Sequence, residues 1–351
     1  MLRFSVRALL AAAAGLVAFA VSPVKADPIA DFYKGKTIRI TVGFGAGGGY
    51  DLYARFLAEF MARHIPGGPS IVVENMPGAG SVRATNHVYA VAPKDGTAIG
   101  ATNQNMPMYQ LLGGPGVQFD AAKFNWLGSM AYSNGTVYTW HASGVKTIED
   151  AKKREVALGG SGTTSDSHIF PTMMNHLLGT KFKVIHGYQG SKDIHLALER
   201  GELMGRGGNS WASLTGSNQR WLDEKKITLL TQIGFEKEPE IPDVPLLLDL
   251  AQTETAKQVV TVITLPTAIG YAHFMTPDVP AARVAALRTA YAATMKDPAF
   301  LAAGQKRNMV VRPQSGAQID ALVKKAAATP KSVLEETAKI LGWSDGNISL
   351  Q

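Results

Sequence analysis

The 351 residues contain no cysteine. A disulfide framework, a thiolate metal site and a lipid-anchoring cysteine are all excluded, so the chain is held together by its core. Charged residues are sparse at 18%, and no run of Lys or Arg is interleaved with aromatics, which argues against a nucleic-acid surface. The eight histidines form no metal pattern. There is no H-E-x-x-H, and His168 and His176 are wrongly spaced to share a helical face with an acid. A nucleophile elbow is absent too, because Thr163 stands where the last glycine of G-x-S-x-G belongs. No fixed-period repeat and no low-complexity segment occurs. No metal and no cofactor is expected.

Long apolar runs are lacking except at the start. Arg3 and Arg7 precede the apolar run Ala8–Val21, and Val24-Lys25-Ala26 fits a signal-peptidase site, so residues 1–26 read as a secretory signal and the periplasm as the destination. The run falls short of the ~20 residues a membrane span needs, and no Arg pair marks Tat export. Without Arg3, Arg7 and Lys25 the 35 basic residues fall to about 32 against 28 acidic ones. The resulting charge of about +4 is mild and fits an acidic small molecule better than a polyanion. About 325 residues exceed one comfortable core, and two domains are expected.

The stretch Thr37–His64 organises the chain. Ile38, Ile40 and Val42 alternate with polar residues as in a buried strand. Gly45, Gly47, Gly48 and Gly49 then allow a sharp turn and close approach of a ligand to the backbone. Asp51 is placed as the N-cap of a helix whose apolar positions are Leu52, Phe56, Leu57, Phe60 and Met61. The free N–H groups of such a loop and helix start form an anion seat. Two further strand-loop-helix units follow, through Asn75–Ser81, with Ser81 as a helix cap, and through Thr102–Asn105. This is doubly wound architecture with its loops on one carboxyl edge.

A second α/β unit is expected after a crossing at Tyr132–Gly135. It contains the hydroxyl loop Gly159–Ser165, a helix to Leu178, the turn Gly187–Ser191, and Met204–Trp211, read as a glycine loop carrying Arg206. The chain is expected to cross back near Gly234, and Ala268–His273 is read as the returning strand. The layout is an α/β protein of two doubly wound lobes joined by a two-crossover hinge, with residues 27–132 and 236–351 in lobe 1 and 133–235 in lobe 2.

Six ordered motifs carry a family resemblance. Phe44–Asp51 is similar to the F-P-A-G-G-G-x-D loop of the tripartite tricarboxylate transporter receptors, the Bug or TctC family of solute-binding proteins. Val73–Gly80 resembles its V-E-N-x-P-G-A-G element, and Pro93–Thr97 its A-P-D-G-Y-T turn with Lys94 inserted. Gly160–His168, Tyr188–Ser191 with Leu198–Glu202, and Pro242–Pro245 resemble three more. The resemblance implies a type II periplasmic-binding-protein fold that closes on a small carboxylate, di- or tricarboxylic or aromatic, and delivers it to membrane permease subunits, with the receptor a monomer. The usual proline is Gly45, Tyr50 replaces a small residue, and Arg206 stands where many members are uncharged or acidic.

On this reading Phe44, Ala46, Gly47, Gly48, Gly80, Ser81, Asn103 and Gln104 seat one carboxylate from lobe 1. Ser161, Thr163, Thr164, Ser165 and Arg206 take the distal end from lobe 2. Asp51 is read as fixing the loop rather than touching an anion that it would repel. Two rivals stand beside this reading. Gly43–Gly48 spells G-x-G-x-x-G between a strand and a helix, as in an NAD-binding oxidoreductase, though an exported protein meets little NAD. A receptor of this layout also suits ligand presentation to a sensor kinase.

Overall fold

The computed structural model describes residues 27–343; the signal segment 1–26 lies outside them. The strands are β1 (Thr37–Val42), β2 (Ser70–Asn75), β3 (Ala98–Ala101), β4 (Asn125–Ser129), β5 (Gly135–Trp140), β6 (Val156–Gly159), β7 (Phe182–Ile185), β8 (Gly205–Ser210), β9 (Ile227–Ile233), β10 (Ala272–Met275) and β11 (Gln314–Ser315). They form two sheets, ordered β11-β4-β10-β3-β1-β2 and β7-β6-β8-β5-β9. The chain leaves the first sheet after β4 and returns to it at β10.

In the first sheet β1 lies parallel between β2 and β3, pairing Ile40 with Val73 and Ile99. Ile38, Ile40 and Val42 are fully buried on one face of the strand, while Thr37 and Arg39 on the other are exposed. Against it packs the helix Gly49–Met61, which buries Tyr53, Phe56, Leu57, Phe60 and Met61 at helical spacing. Phe56 stacks on Phe300 at 4.4 Å. Strand β10 enters antiparallel between β3 and β4, and Gly100 gives its Phe274 ring room, since a Cβ there would lie 2.5 Å from the ring.

The crossing is fastened by a buried polar cluster. Asn134 donates its backbone N–H to Glu238 at 2.8 Å and its side-chain amide to Gln232 at 2.7 Å. Arg312 donates to the other Glu238 oxygen at 2.7 Å. Both crossing segments and the C-terminal part thus meet at one nearly buried carboxylate, paired with the Arg312 guanidinium.

Four local expectations need correction. Met204–Trp211 is no loop: Gly205–Ser210 is β8, the middle strand of the second sheet. Its glycines answer to packing. A Cβ on Gly207 would sit 2.4 Å from Pro171, and one on Gly208 would sit 2.3 Å from the Asp166 backbone, so the helix Asp166–Leu178 rests directly on the strand. Residues 265–268 are a 3-10 turn, and the returning strand starts only at Ala272. Gly270, at φ +65°, breaks the chain between them. Asp51 is the third helical residue rather than the N-cap, which is Gly48. Ser81 occupies the N-cap position of the helix Val82–Ala90 with φ +96°, but its hydroxyl makes no capping bond.

The β8 packing sets a first prediction. Gly208→Ala is expected to destabilise the protein by about 1–3 kcal/mol, the usual cost of overpacking, because the obstacle is backbone and cannot swing aside. Urea unfolding monitored by circular dichroism reads this as a lower midpoint. An unchanged midpoint would refute the packing account.

Candidate binding site between the lobes

The loops at the carboxyl ends of the two sheets meet face to face. Thr164 donates its hydroxyl to the Gly80 carbonyl at 2.8 Å, and Asn103 and Asn105 donate to the Thr164 carbonyl at 3.1 and 3.0 Å. Gly45 donates its N–H to the Gln189 carbonyl at 2.9 Å. A Cβ on Gly162 would lie 2.7 Å from the Gly80 nitrogen. Several glycines are therefore needed for backbone-to-backbone contact across the cleft.

Within that contact lies a cavity of about 60 Å³ lined from both sides. Phe44, Gly48, Asn103, Gln104, Ser161, Ser165 and Arg206 line it. Ala46 and Gly47 do not, and the Gly47 N–H is occupied by the Asp51 carboxylate at 2.8 Å. Arg55 and Asn75 hold the same carboxylate, and these three partners outweigh burial and keep Asp51 below the ordinary carboxylate range. Ser81 lies beneath the site, its hydroxyl accepting the Asn103 N–H at 3.1 Å. Gly80 and Thr164 form the interlobe contact. Thr163 lines an adjoining open cleft with His186 and Gln189.

Arg206 is the dominant charge. It is 6% exposed, and no carboxylate forms an ion pair with it among the described residues. Its Nε donates to the Gly208 carbonyl at 2.8 Å and its Nη2 to Ser191 at 3.0 Å. Its Nη1 lies 2.9 Å from His195 Nε2. That nitrogen must be the acceptor, since a guanidinium has only donors. Burial first, and the Arg206 charge second, push His195 well below its ordinary pKa and keep the ring neutral. The fork is thus aimed by three protein partners and retains donors for a guest.

Sequence reasoning missed several lining residues. Asn209 and Ser213, each 3% exposed, have a side-chain amide nitrogen and a hydroxyl with no hydrogen-bond partner among the described residues. The Tyr138 and Tyr271 hydroxyls lie near them. Tyr50 accepts the Gln104 N–H at 2.8 Å and stacks on Phe44. Asp166, quoted only as part of a motif, opens a helix and reaches the cavity. Asn105 donates to one of its oxygens at 2.7 Å and Gln104 to the other at 3.1 Å. Burial raises its pKa, opposed by Asn105, Arg206 and Gln104.

This is the two-lobe α/β architecture of a binding protein, with a cavity lined from both lobes. The model of the tripartite tricarboxylate transporter family receptors matches residues 53–338, and the chain belongs to that family. A curated relative, the UPF0065 protein in the gbd 5'region of Cupriavidus necator, is 28% identical over 256 residues, covering 70% of this chain and 73% of its own. The solved periplasmic binding protein BugD superposes with a TM-score of 0.70 at 20% identity over 89% of this chain and 99% of its own. MatC from Rhodopseudomonas palustris with bound malate superposes with a TM-score of 0.67 at 19% identity over 86% and 99%. The expected two-lobe fold is therefore the observed one. Among the described residues no helix is long and apolar enough to cross a membrane.

Proposed function

We propose that this protein is a periplasmic receptor, exported by residues 1–26, that closes two lobes on a small carboxylate and hands it to membrane permease subunits. In this reading residues 27–132 and 236–351 move as one lobe, residues 133–235 as the other, and the receptor acts as a monomer. The observation that carries it is the buried Arg206 guanidinium, facing the same cavity as the Asn209 amide nitrogen and the Ser213 hydroxyl; among the described residues the first has no counter-ion and the other two no hydrogen-bond partner. Burying a charge without a counter-ion, beside two polar groups without hydrogen-bond partners, is costly. A guest carboxylate supplies the counter-ion and can bond to the polar groups, and Arg gives it a bidentate fork.

The malate bound to MatC supports the chemical class. One observation speaks against a dinucleotide: the G-x-G-x-x-G loop spends its Gly43, Gly45 and Gly47 N–H groups on Ala101, Gln189 and Asp51. Cleft closure on the ligand is a population shift toward a form that a permease can distinguish.

Thermal unfolding of the purified protein with mono-, di- and tricarboxylates and with NAD tests the reading. A ligand at 100 times its Kd adds about 2.7 kcal/mol of stability, visible as a raised Tm. Stabilisation by NAD with no carboxylate response would overturn the receptor reading.

A further inference from the structure

Arg206 has an opposite in the same cavity. Asp166 lines it from the start of the helix Asp166–Leu178, and the two charges attract each other without forming an ion pair. Two amide donors, Asn105 and Gln104, hold the carboxylate. No cationic side chain bonds to it among the described residues. A site built only for dicarboxylates gains nothing from a carboxylate of its own, which repels a second anion in a low-dielectric cavity. The bonds from Asn105 and Gln104 and the helix start favour its ionised form. Each such oxygen has lone pairs beyond the one amide it receives.

Resting on the carboxylate reading above, we propose that the ligand is zwitterionic: an acid that also carries a protonated amine, its carboxylate on Arg206, Asn209 and Ser213 and its ammonium on Asp166. Such a guest neutralises both buried charges at once and bridges the two lobes. Asn105 and Gln104 come from lobe 1 and hold Asp166, which belongs to lobe 2, so the amine is read where closure is completed. Specificity here comes from polar groups that stay unpaired when the matching group is missing, and that is the strong kind of discrimination.

The test is calorimetric binding with matched probes: L-alanine against propionate, L-aspartate against succinate and L-glutamate against glutarate. The expected result is that in at least one pair the amino acid binds tenfold or more tighter than its amine-free partner. Asp166→Asn should shrink that preference to threefold or less by weakening the amino acid alone. Amine-free acids binding as tightly in every pair, or a preference unaltered by Asp166→Asn, overturns this inference and leaves the carboxylate receptor standing. Failure of every acid in both series overturns both. Should Asp166→Asn not fold, the wild-type pairs decide the matter unaided.

Discussion

Arg206→Met is expected to weaken carboxylate binding by roughly 30-fold to several thousand-fold and to leave a folded protein. Truncating one partner of a buried, hydrogen-bonded charge pair costs 2–5 kcal/mol or more, and each 1.4 kcal/mol is tenfold. The effect on the ligand-free protein is smaller because two terms oppose. Loss of the bonds to Gly208, Ser191 and His195 costs about 1.5–3 kcal/mol each. Against that, an apolar side chain of similar length removes a buried charge that has no ion pair among the described residues. Calorimetry gives the affinity and thermal unfolding the stability. A variant that binds within threefold of wild type would place the ligand elsewhere, and one that fails to fold would make Arg206 a structural residue. Arg206→Lys separates fork from charge: it keeps the charge, loses the planar donor pair, and is expected to bind between the other two.

The parts of the fold that were legible are those in which side chains reveal their surroundings. Strand β1 and the helix after it could be read because Ile38, Ile40 and Val42 alternate and Phe56, Leu57, Phe60 and Met61 recur at helical spacing; only the first position differs, Tyr53 being buried where Leu52 was expected. Strand β8 could not. Its sequence, Gly-Arg-Gly-Gly-Asn-Ser, carries no hydrophobic period, and glycine usually marks a turn. What makes it a strand is pairing with β6 and β5 on either side and a helix that tolerates nothing larger than hydrogen above it. Both are tertiary facts. The late start of β10 has a similar origin. Gly270 is required because a Cβ would fall 2.1 Å from the Ala131 carbonyl, a contact about 140 residues away in sequence.

The site was legible in its charges more than in its glycines. Arg206 stands out in a glycine-rich setting whether that setting is a loop or a strand. Gly80, Gly45 and Gly162 read as backbone open to an anion, yet the same lack of a side chain serves equally to let the other lobe approach, and sequence does not distinguish the two neighbours. Tyr271, Asn209 and Ser213 left no local signal at all, since each sits in an ordinary element and gains its role from what folds opposite. Asp166 looked like part of a helix-start motif, where an acid in the first turn is common. Its meaning comes from sharing a cavity with Arg206.

Acid is expected to destabilise the protein early, from about pH 6.5 downward, because buried histidines are held neutral. His273 lies within the first sheet, 1% exposed, with Nδ1 3.2 Å from the Tyr291 hydroxyl and no partner on Nε2 among the described residues. Burial pushes it down to about 3. His168 is lowered to about 4 by burial and by neighbouring His186, and His195 is depressed as well. A base with a depressed folded pKa contributes its full stability above the unfolded value near 6.5. As pH falls, the unfolded chain takes up protons that the folded one refuses, so stability drops until the folded pKa is passed. At 1.36 kcal/mol per pKa unit the shift of His168 alone is on the order of 3 kcal/mol, a large share of the ~5–15 kcal/mol typical of a domain. Asp166 and Asp320 work in the opposite sense, since a carboxyl with a raised pKa gains stability on acidification. They are two groups against four histidines, because burial lowers His186 as well, and without a disulfide no covalent tie limits the loss. Unfolding temperatures recorded at half-unit steps from pH 7.5 to 4 should fall steeply below 6.5, and His273→Phe, if it folds, should flatten the slope. A melting temperature constant down to pH 4.5 would show that these rings reach solvent or find partners, and the neutral, tightly packed strand around His273 would then have to be given up.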